Sequence, residues 1–405
     1  MQVKPRIRGY ICTTAHPQGC AQNVSEQISY IRDGEPIVGA RNVIVLGCSG
    51  GYGLASRISA AFGCGAKTLG VSYEKEPTEK RPGSSGWYNN LTFDRIAKKE
   101  GLYAKTIDGD AFSEKTKKIV VDIARREMEP IDLLIYSLAS PVRQHPKTGK
   151  LHRSVIKPLG SSFESRTLDL NLNTGDARVV DVTIDPADSK EAEETVAVMG
   201  GEDWQFWVET LSEAGVLAQN FKTVAYTYIG NELTWPIYWD GTLGKAKEDL
   251  DRTSKQIQVQ LEKGGLNCEA RVAVLKAVVT QASTAIPVVP LYFSILFKVM
   301  KQQGTHENCI QHIHRLFQEE LYGTKEKRLD EKGRIRMDNH ELDEQVQAAV
   351  SEAWSSIDSS NVKALADIEG FRSDFMRIFG FGIDNVDYDA DQDLGSKELS
   401  TTVTT

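Results

Sequence analysis

Residues 43–46 form an unbroken, β-branched apolar run, the pattern of a parallel strand buried on both faces. Leu54, Ile58, Ala61 and Phe62 then recur at helical spacing. Between them lie Gly47, Gly50, Gly51 and Gly53. The same alternation continues along the chain. It predicts strands over 68–73, 102–107, 131–137, 223–229 and 269–275, with helices over 113–127, 201–217 and 245–261. Short strands separated by amphipathic helices imply an α/β fold with a doubly wound parallel sheet. An arm at residues 1–40 precedes it, with a strand over 6–12 and a helix over 24–31.

Two stretches break the rhythm. Leu168, Leu170 and Leu172 alternate with polar residues, as do Val180, Val182 and Ile184, and Asn173 to Asp176 lie between, so 166–184 reads as an inserted β-hairpin. Residues 284–300 are apolar nearly all round and predict a buried or groove-lining helix. Further helices are expected over 306–321 and 342–357, an edge strand over 333–338, and a disordered polar tail over 389–405. The chain thus divides into the arm, a first nucleotide-binding part (41–150), the hairpin insertion (151–200), a catalytic part (201–388) and the tail, within one enlarged unit.

The 405 residues are 40% hydrophobic and 26% charged, ample for a large core, and carry a net charge of −8. No basic tract suits nucleic acid. The longest apolar run, 285–297, is interrupted by Pro287 and Pro290 and is too short to span a bilayer. Residues 1–30 lack the apolar core of a secretion signal, and the six cysteines form no CxxC pair, which points to reduced thiols in the cytoplasm. Cys12, His16 and Cys20 are evenly spaced but have no fourth partner, so they read as an ordered loop rather than a metal site.

Strand, glycine-rich turn and helix bring backbone N–H groups to a phosphate, and a dinucleotide fits that geometry. Glu74 lies 21 residues past Gly53, where an acid meets the adenosine ribose hydroxyls and favours NADH; Lys75, Lys80 and Arg81 leave that preference open. The turn Asp108-Gly109-Asp110-Ala111 offers acceptors to an adenine amino group, and Ser137 to Ser140 follow a strand end near the nicotinamide half. Tyr238 and Lys247 pair a proton donor with a cation able to lower its pKa. Their Tyr-x8-Lys spacing differs from the Tyr-x3-Lys of short-chain carbonyl reductases, and the serine those enzymes place before the tyrosine is missing. Tyr228, ten residues upstream, offers a second phenol, a set better matched to an enolate oxygen than to an alcohol.

GCSGGYGLASR, IDGDAFS, IYSLASPVR, MGGEDW, AYTYIGNELTWPIYWDGTLGKAK and VVTQASTAIPVVPLY together resemble the FabV-type trans-2-enoyl reductases, enlarged relatives of the short-chain dehydrogenases. The resemblance runs from AHPQGC to about Tyr388. It implies a Rossmann-like sheet with additional substrate-binding helices, and reduction of a trans-2-enoyl thioester on acyl-carrier protein (ACP) or CoA by NADH in fatty-acid synthesis. It implies NADH contacts at Gly47, Cys48, Ser49, Gly50, Gly51, Tyr52, Tyr73, Glu74, Asp110, Ala111, Leu138, Ala139, Lys247, Val278, Val279 and Thr280. Tyr228 would contact substrate, Tyr238 would be the proton donor and Lys247 would hold the ribose. The helix over 284–300, with Ile295, is the expected wall for the acyl chain. Lys298, Lys301 and Arg315 are the expected basic patch for an acidic carrier, and the chain is expected to be a monomer. A carbonyl reductase and a non-catalytic NAD-binding protein are the competing functions.

Overall fold

The computed structural model describes residues 1–128 and 130–394, and the backbone of Val403–Thr404. A minor hairpin, β1 (Ile7–Arg8) and β2 (Ile11–Cys12), opens the chain. The main sheet uses β3 (Asn42–Leu46), β4 (Lys67–Ser72), β5 (Ala104–Asp108) and β6 (Ile131–Tyr136). Two antiparallel ribbons follow, β7 (Val142–Gln144) with β8 (Leu151–Arg153), and β9 (Phe163–Asn171) with β10 (Asp176–Ile184). The chain then returns to the main sheet through β11 (Leu217–Thr227), β12 (Glu269–Val274), β13 (Ile335–Arg336) and β14 (Val403–Thr404). The main sheet runs β13-β12-β11-β6-β3-β4-β5-β14, every pair parallel. From β3 the chain winds outward through β4 and β5; from β6 it winds the other way. The switch point therefore falls between β3 and β6, the crevice where a doubly wound sheet binds its ligand.

The alternation of β3 explains its unbroken apolar run. Val43 and Val45 face one core with Val24, Ile28, Phe93 and Ile313, while Ile44 and Leu46 face another with Trp204, Trp207, Leu250 and Ile257. A third core lies beyond the sheet. There the Val289–Gln303 helix packs against Leu168 and Leu170 of β9, against Leu172 in the turn that follows, and against the Glu344–Ser356 and Ile368–Ile378 helices. The predicted hairpin is thus present, its turn closed by Gly175 N–H donating to Asn171 O at 2.7 Å, with Gly175 at φ +79°.

Several boundaries moved for local reasons. The strand expected over 6–12 is the hairpin β1–β2, because Gly9 at φ +55° reverses the chain. The first helix spans Pro17–Arg32, its start capped by His16 Nδ1 accepting from Gly19 N–H. The apolar helix begins at Val289 rather than 284: Val288 adopts φ +72° and Pro290 sits in the first turn, so residues before them form only a short 3-10 turn, Ser283–Ala285. The expected helix over 201–217 ends at Glu213, and β11 starts at Leu217 after Gly215 at φ +71°. The helices Ser85–Lys99, Ser189–Met199, Val362–Leu365 and Ile368–Ile378 were not anticipated. Most of the expected disordered tail lies outside the described residues.

Candidate active site

Gly47 follows the last residue of β3 and takes φ +81°; its N–H and that of Cys48 both donate to Val71 O of β4. A Cβ on Gly47 would stand 2.2 Å from Ser137 O, and one on Gly53 would stand 1.9 Å from Gly47 O. These two positions admit no side chain. Gly50 caps the Gly51–Ile58 helix without a side-chain hydrogen bond, and no atom lies within 4 Å of where its Cβ would be. The first-turn N–H groups therefore face open space, a fit for the pyrophosphate of a dinucleotide. Tyr52 Oη donates to Lys276 O at 2.5 Å and ties that turn to the end of β12, while the Thr280 methyl comes 3.2 Å from a Cβ built on Gly51. Thr280 and Val278 are themselves fixed by Ser283, whose Oγ accepts from Thr280 N–H at 2.9 Å and donates to Val278 O at 2.8 Å.

Glu74 follows β4. Ser49 Oγ donates to its Oε1 at 2.6 Å and Ser84 Oγ to its Oε2 at 2.5 Å, while its own N–H donates to Asp108 Oδ1 at 2.8 Å. Gly86 makes the room: a Cβ there would lie 2.1 Å from Glu74 Oε1. Burial pushes the Glu74 carboxyl up, and the two serine hydroxyls oppose it. This is a built-in carboxylate, not a free surface acid. Tyr73 beside it is exposed. Asp110 Oδ1 accepts from Phe112 N–H at 2.9 Å, and Ala111 O takes Trp207 Nε1–H at 3.1 Å, which together fix the turn after β5. After β6, Ser137 N–H donates to Leu46 O at 3.0 Å, which sets Leu138 and Ala139 beside the glycine turn.

Tyr228 follows the end of β11, and Tyr238 follows the short 3-10 turn Trp235–Ile237. Their rings meet edge-on, centroids 5.2 Å apart at 76°. Tyr238 O accepts from Gly241 N–H at 3.2 Å and Gly244 N–H at 2.9 Å, so the tyrosine is locked to the start of the Thr242–Lys263 helix that carries Lys247. A Cβ on Gly244 would stand 1.6 Å from Trp239 O, so only glycine allows this close entry. Both side chains are 7% exposed. Burial pushes Lys247 down to about 8, partly opposed by Asp251. The expected depression of Tyr238 by Lys247 is absent: burial alone acts on the phenol and pushes it up. Tyr238 is thus held neutral, the form that keeps a proton to give.

Gly47, Glu74, Asp110, Leu138, Tyr228 and Val278 each follow the carboxyl end of a different parallel strand, and Tyr238 joins them through Tyr228. The sheet gathers the expected residues along one edge. Three neighbours had escaped the sequence: Glu341, which accepts from Tyr228 Oη at 2.8 Å; Tyr292, which donates to the same carboxylate at 2.9 Å; and Phe293, whose ring centroid lies 6.4 Å from that of Tyr228.

A family model described as the trans-2-enoyl-CoA reductase catalytic region matches residues 81–322, and one described as the NAD(P)H binding domain of trans-2-enoyl-CoA reductase matches residues 2–79. An "Enoyl-[acyl-carrier-protein] reductase [NADH]" of Serratia proteamaculans is 53% identical over 393 residues, 96% of this chain and 97% of its own. The chain belongs to the trans-2-enoyl-CoA reductase family. A relative of the same description from Variovorax paradoxus is also 53% identical, over 98% of this chain and 99% of its own. Among solved structures, the family member from Clostridium acetobutulicum in complex with NADH matches with a TM-score of 0.94 at 43% identity, over 97% of this chain and 98% of its own. The one from Treponema denticola in complex with NAD matches with a TM-score of 0.91 at 46% identity, over 97% and 98%. The family's sheet, Rossmann-like and doubly wound, is the sheet described above.

Residues 329–391 match a further model described as an enoyl reductase FAD binding domain. That segment supplies β13 and helices whose apolar faces close the core beside Val289–Gln303, together with Glu341. The glycine turn that suits a phosphate lies outside that segment, at 47–53.

Of the residues expected to meet an acidic carrier, Lys301 pairs with Asp367 at 2.6 Å and stays exposed, while Arg315 pairs with Glu307 at 2.6 Å and donates to Met337 O at 3.0 Å. Ile295 is fully buried, and it is Phe293 that meets Tyr228. In the loop before the first helix, Cys12 donates to Thr14 O at 3.2 Å and His16 caps the helix. No helix among the described residues is long and apolar enough to cross a membrane.

Proposed function

We propose that this chain reduces the C2–C3 double bond of a trans-2-enoyl thioester with NADH. The observation that carries this reading is the buried pair Tyr228–Tyr238, at the same sheet edge as the open glycine turn and locked to the helix of Lys247. When bound, NADH supplies a hydride to the β-carbon of the alkene. Gly47 to Tyr52 hold the phosphates with first-turn N–H groups, with Val278 to Thr280 facing the turn. Glu74, with Tyr73 beside it, accepts the adenosine ribose hydroxyls and repels a 2′-phosphate; Asp110 and Ala111 take the adenine. Leu138 and Ala139 line the nicotinamide end. Lys247 binds the nicotinamide ribose.

Tyr238 keeps its proton on Oη until charge appears on the thioester oxygen, hydrogen-bonds that oxygen, and serves as the acid when C2 is protonated. Tyr228 assists at the same oxygen. Preorganised donors of this kind are each worth about 3–4 kcal/mol in the transition state. The relatives are described with ACP and the family models and solved structures with CoA, so the thioester is read as carried by either; we propose further that the chain works as a cytoplasmic monomer built as one enlarged Rossmann-type unit. Steady-state NADH oxidation with crotonyl-CoA, crotonyl-ACP and acetoacetyl-CoA tests the function. Turnover of the crotonyl thioesters is expected; silence with both, or faster reduction of acetoacetyl-CoA, overturns it.

A further inference from the structure

Glu341 belongs to no motif in the sequence, yet it is wholly buried against Tyr228 and Tyr292. Its Oε1 accepts from Tyr228 Oη at 2.8 Å and from Tyr292 Oη at 2.9 Å; its Oε2 accepts from Ala277 N–H at 2.6 Å. Behind them, Asn231 Nδ2 donates to Gln347 Oε1 at 2.5 Å, and Gln347 Nε2 donates to Glu341 O at 2.7 Å and to Tyr292 Oη at 3.3 Å.

Counting protons shows what this arrangement decides. A phenol has one proton to give, and an ionised carboxylate can only accept. With Glu341 ionised, Tyr228 and Tyr292 both spend their protons on Oε1, and Tyr228 turns only lone pairs towards the substrate. Lone pairs repel an oxygen that is gaining negative charge. With Glu341 neutral and its proton on Oε1, Ala277 N–H keeps Oε2 and Tyr292, already accepting from Gln347, still donates to Oε1. The carboxyl proton then goes to Tyr228 Oη, and the proton of Tyr228 is free for the substrate. Donation runs one way into the site: Asn231, Gln347, Tyr292, Glu341, Tyr228.

We propose that neutral Glu341 is the positioning residue that makes Tyr228 a hydrogen-bond donor to the substrate oxygen. The proposal rests on the enoyl reductase reading above. The titratable groups facing the carboxyl from the elements around it are Tyr228, Tyr292, Tyr52 and Lys276, whose Nζ is bound by Ala277 O at 2.7 Å and Glu307 O at 3.0 Å; Gln347 faces it as a neutral amide. Burial pushes the Glu341 carboxyl up against the opposing pull of Lys276, Ala277 N–H and the two phenols, which favours the neutral form.

The test is the pH profile of kcat with crotonyl-CoA and NADH for wild type, Glu341→Gln and Tyr228→Phe. Glutamine keeps a carbonyl for Ala277 N–H and presents an NH2 to Tyr228 at every pH, so it copies the neutral acid towards Tyr228, although Tyr292 loses its acceptor. Wild type is expected to lose turnover roughly 100-fold as pH rises through the Glu341 titration, approaching the level of Tyr228→Phe, the effect of one missing oxyanion donor. Glu341→Gln is expected to keep low-pH turnover within about 3-fold of wild type and to lack that limb, while any limb from Lys247 persists in both. Tyr228→Phe lacks the limb as well, and stands as the test by itself if Glu341→Gln does not fold. Persistence of the Glu341 limb in either variant, or turnover of folded Glu341→Gln as low as Tyr228→Phe at all pH, overturns the proposal. Absence of wild-type turnover would instead strike at the enoyl reductase reading.

Discussion

Tyr228 stands edge-on to Tyr238, ring centroids 5.2 Å apart and planes at 76°. Only one of the two hydroxyls meets a carboxyl group: Tyr228 Oη lies 2.8 Å from Glu341 Oε1, while burial alone acts on Tyr238. Two phenols at one point in the crevice therefore start in different states, one tied into a network and one carrying an uncommitted proton. That division of labour suits a reaction in which one oxygen gains charge and one carbon gains a proton.

Tyr238→Phe removes the second of these protons and leaves the ring packing in place. Turnover with crotonyl-CoA is expected to fall roughly 100-fold or more, about 3 kcal/mol of lost transition-state stabilisation, with NADH binding retained. Steady-state kinetics beside a fluorescence titration of NADH decide it; near-normal turnover would remove Tyr238 from the chemistry.

Lys247 titrates at about 8, below an ordinary lysine, because its ammonium is buried. Below that pH it is charged and can hold the ribose as a cation; above it the charge is gone. NADH affinity of the wild type is therefore expected to weaken as pH rises through about 8, and Lys247→Met to be weak and flat with pH. The same burial has a stability cost at neutral pH, because the unfolded chain holds this proton more tightly than the folded one. Lys247→Met is then expected to melt higher than wild type at pH 7. A pH-independent wild-type affinity would contradict the assignment.

The glycine turn separates folding from binding. Gly53→Ala would drive a Cβ to 1.9 Å from Gly47 O, a backbone atom with no room to yield, and is expected to cost at least about 1–3 kcal/mol of stability. Gly50→Ala meets nothing and sits in extended backbone at φ −161°, so it should melt like wild type. Its methyl nevertheless enters the space before the first-turn N–H groups, and NADH affinity is expected to fall about 10-fold or more. Thermal melting and NADH titration of both variants separate the effects; wild-type NADH affinity in Gly50→Ala would place the phosphates elsewhere.

What could be read from the sequence was what local spacing determines. The run 43–46 with its glycines marked the switch-point strand, Leu168, Leu170 and Leu172 marked the hairpin, and Glu74 was placed at the carboxyl end of its strand. Glu341 could not be read, because HELDEQ looks like a solvated stretch and its partners come from residues 228, 277 and 292. Lys247 was misjudged as the controller of Tyr238: sequence spacing showed the charge but not the burial that acts on both side chains. The Ser189–Met199 helix did have a signal, the capping box of Asp188 and Glu191, which the hairpin beside it obscured. Val288 at φ +72° had none, since a left-handed valine is imposed by its surroundings.

We propose that the Val289–Gln303 helix walls the acyl chain with the face that carries Phe293. Phe293 lies against Tyr228, with ring centroids 6.4 Å apart, and stacks along the helix on Phe297 at 5.6 Å. Ile295 is two residues on, about 200° around the helix, and so points away from Phe293. Phe293→Leu shortens the side chain beside the tyrosines with a small packing loss, and is expected to shift the kcat/KM optimum towards longer enoyl thioesters. Ile295→Phe is expected to cost about 1–3 kcal/mol by overfilling a full core, with the chain-length optimum unchanged. Measuring kcat/KM across C4 to C12 enoyl-CoA substrates separates the two faces. A shift in Ile295→Phe with none in Phe293→Leu would reverse the assignment, and the acyl chain would then run along the opposite side of the helix.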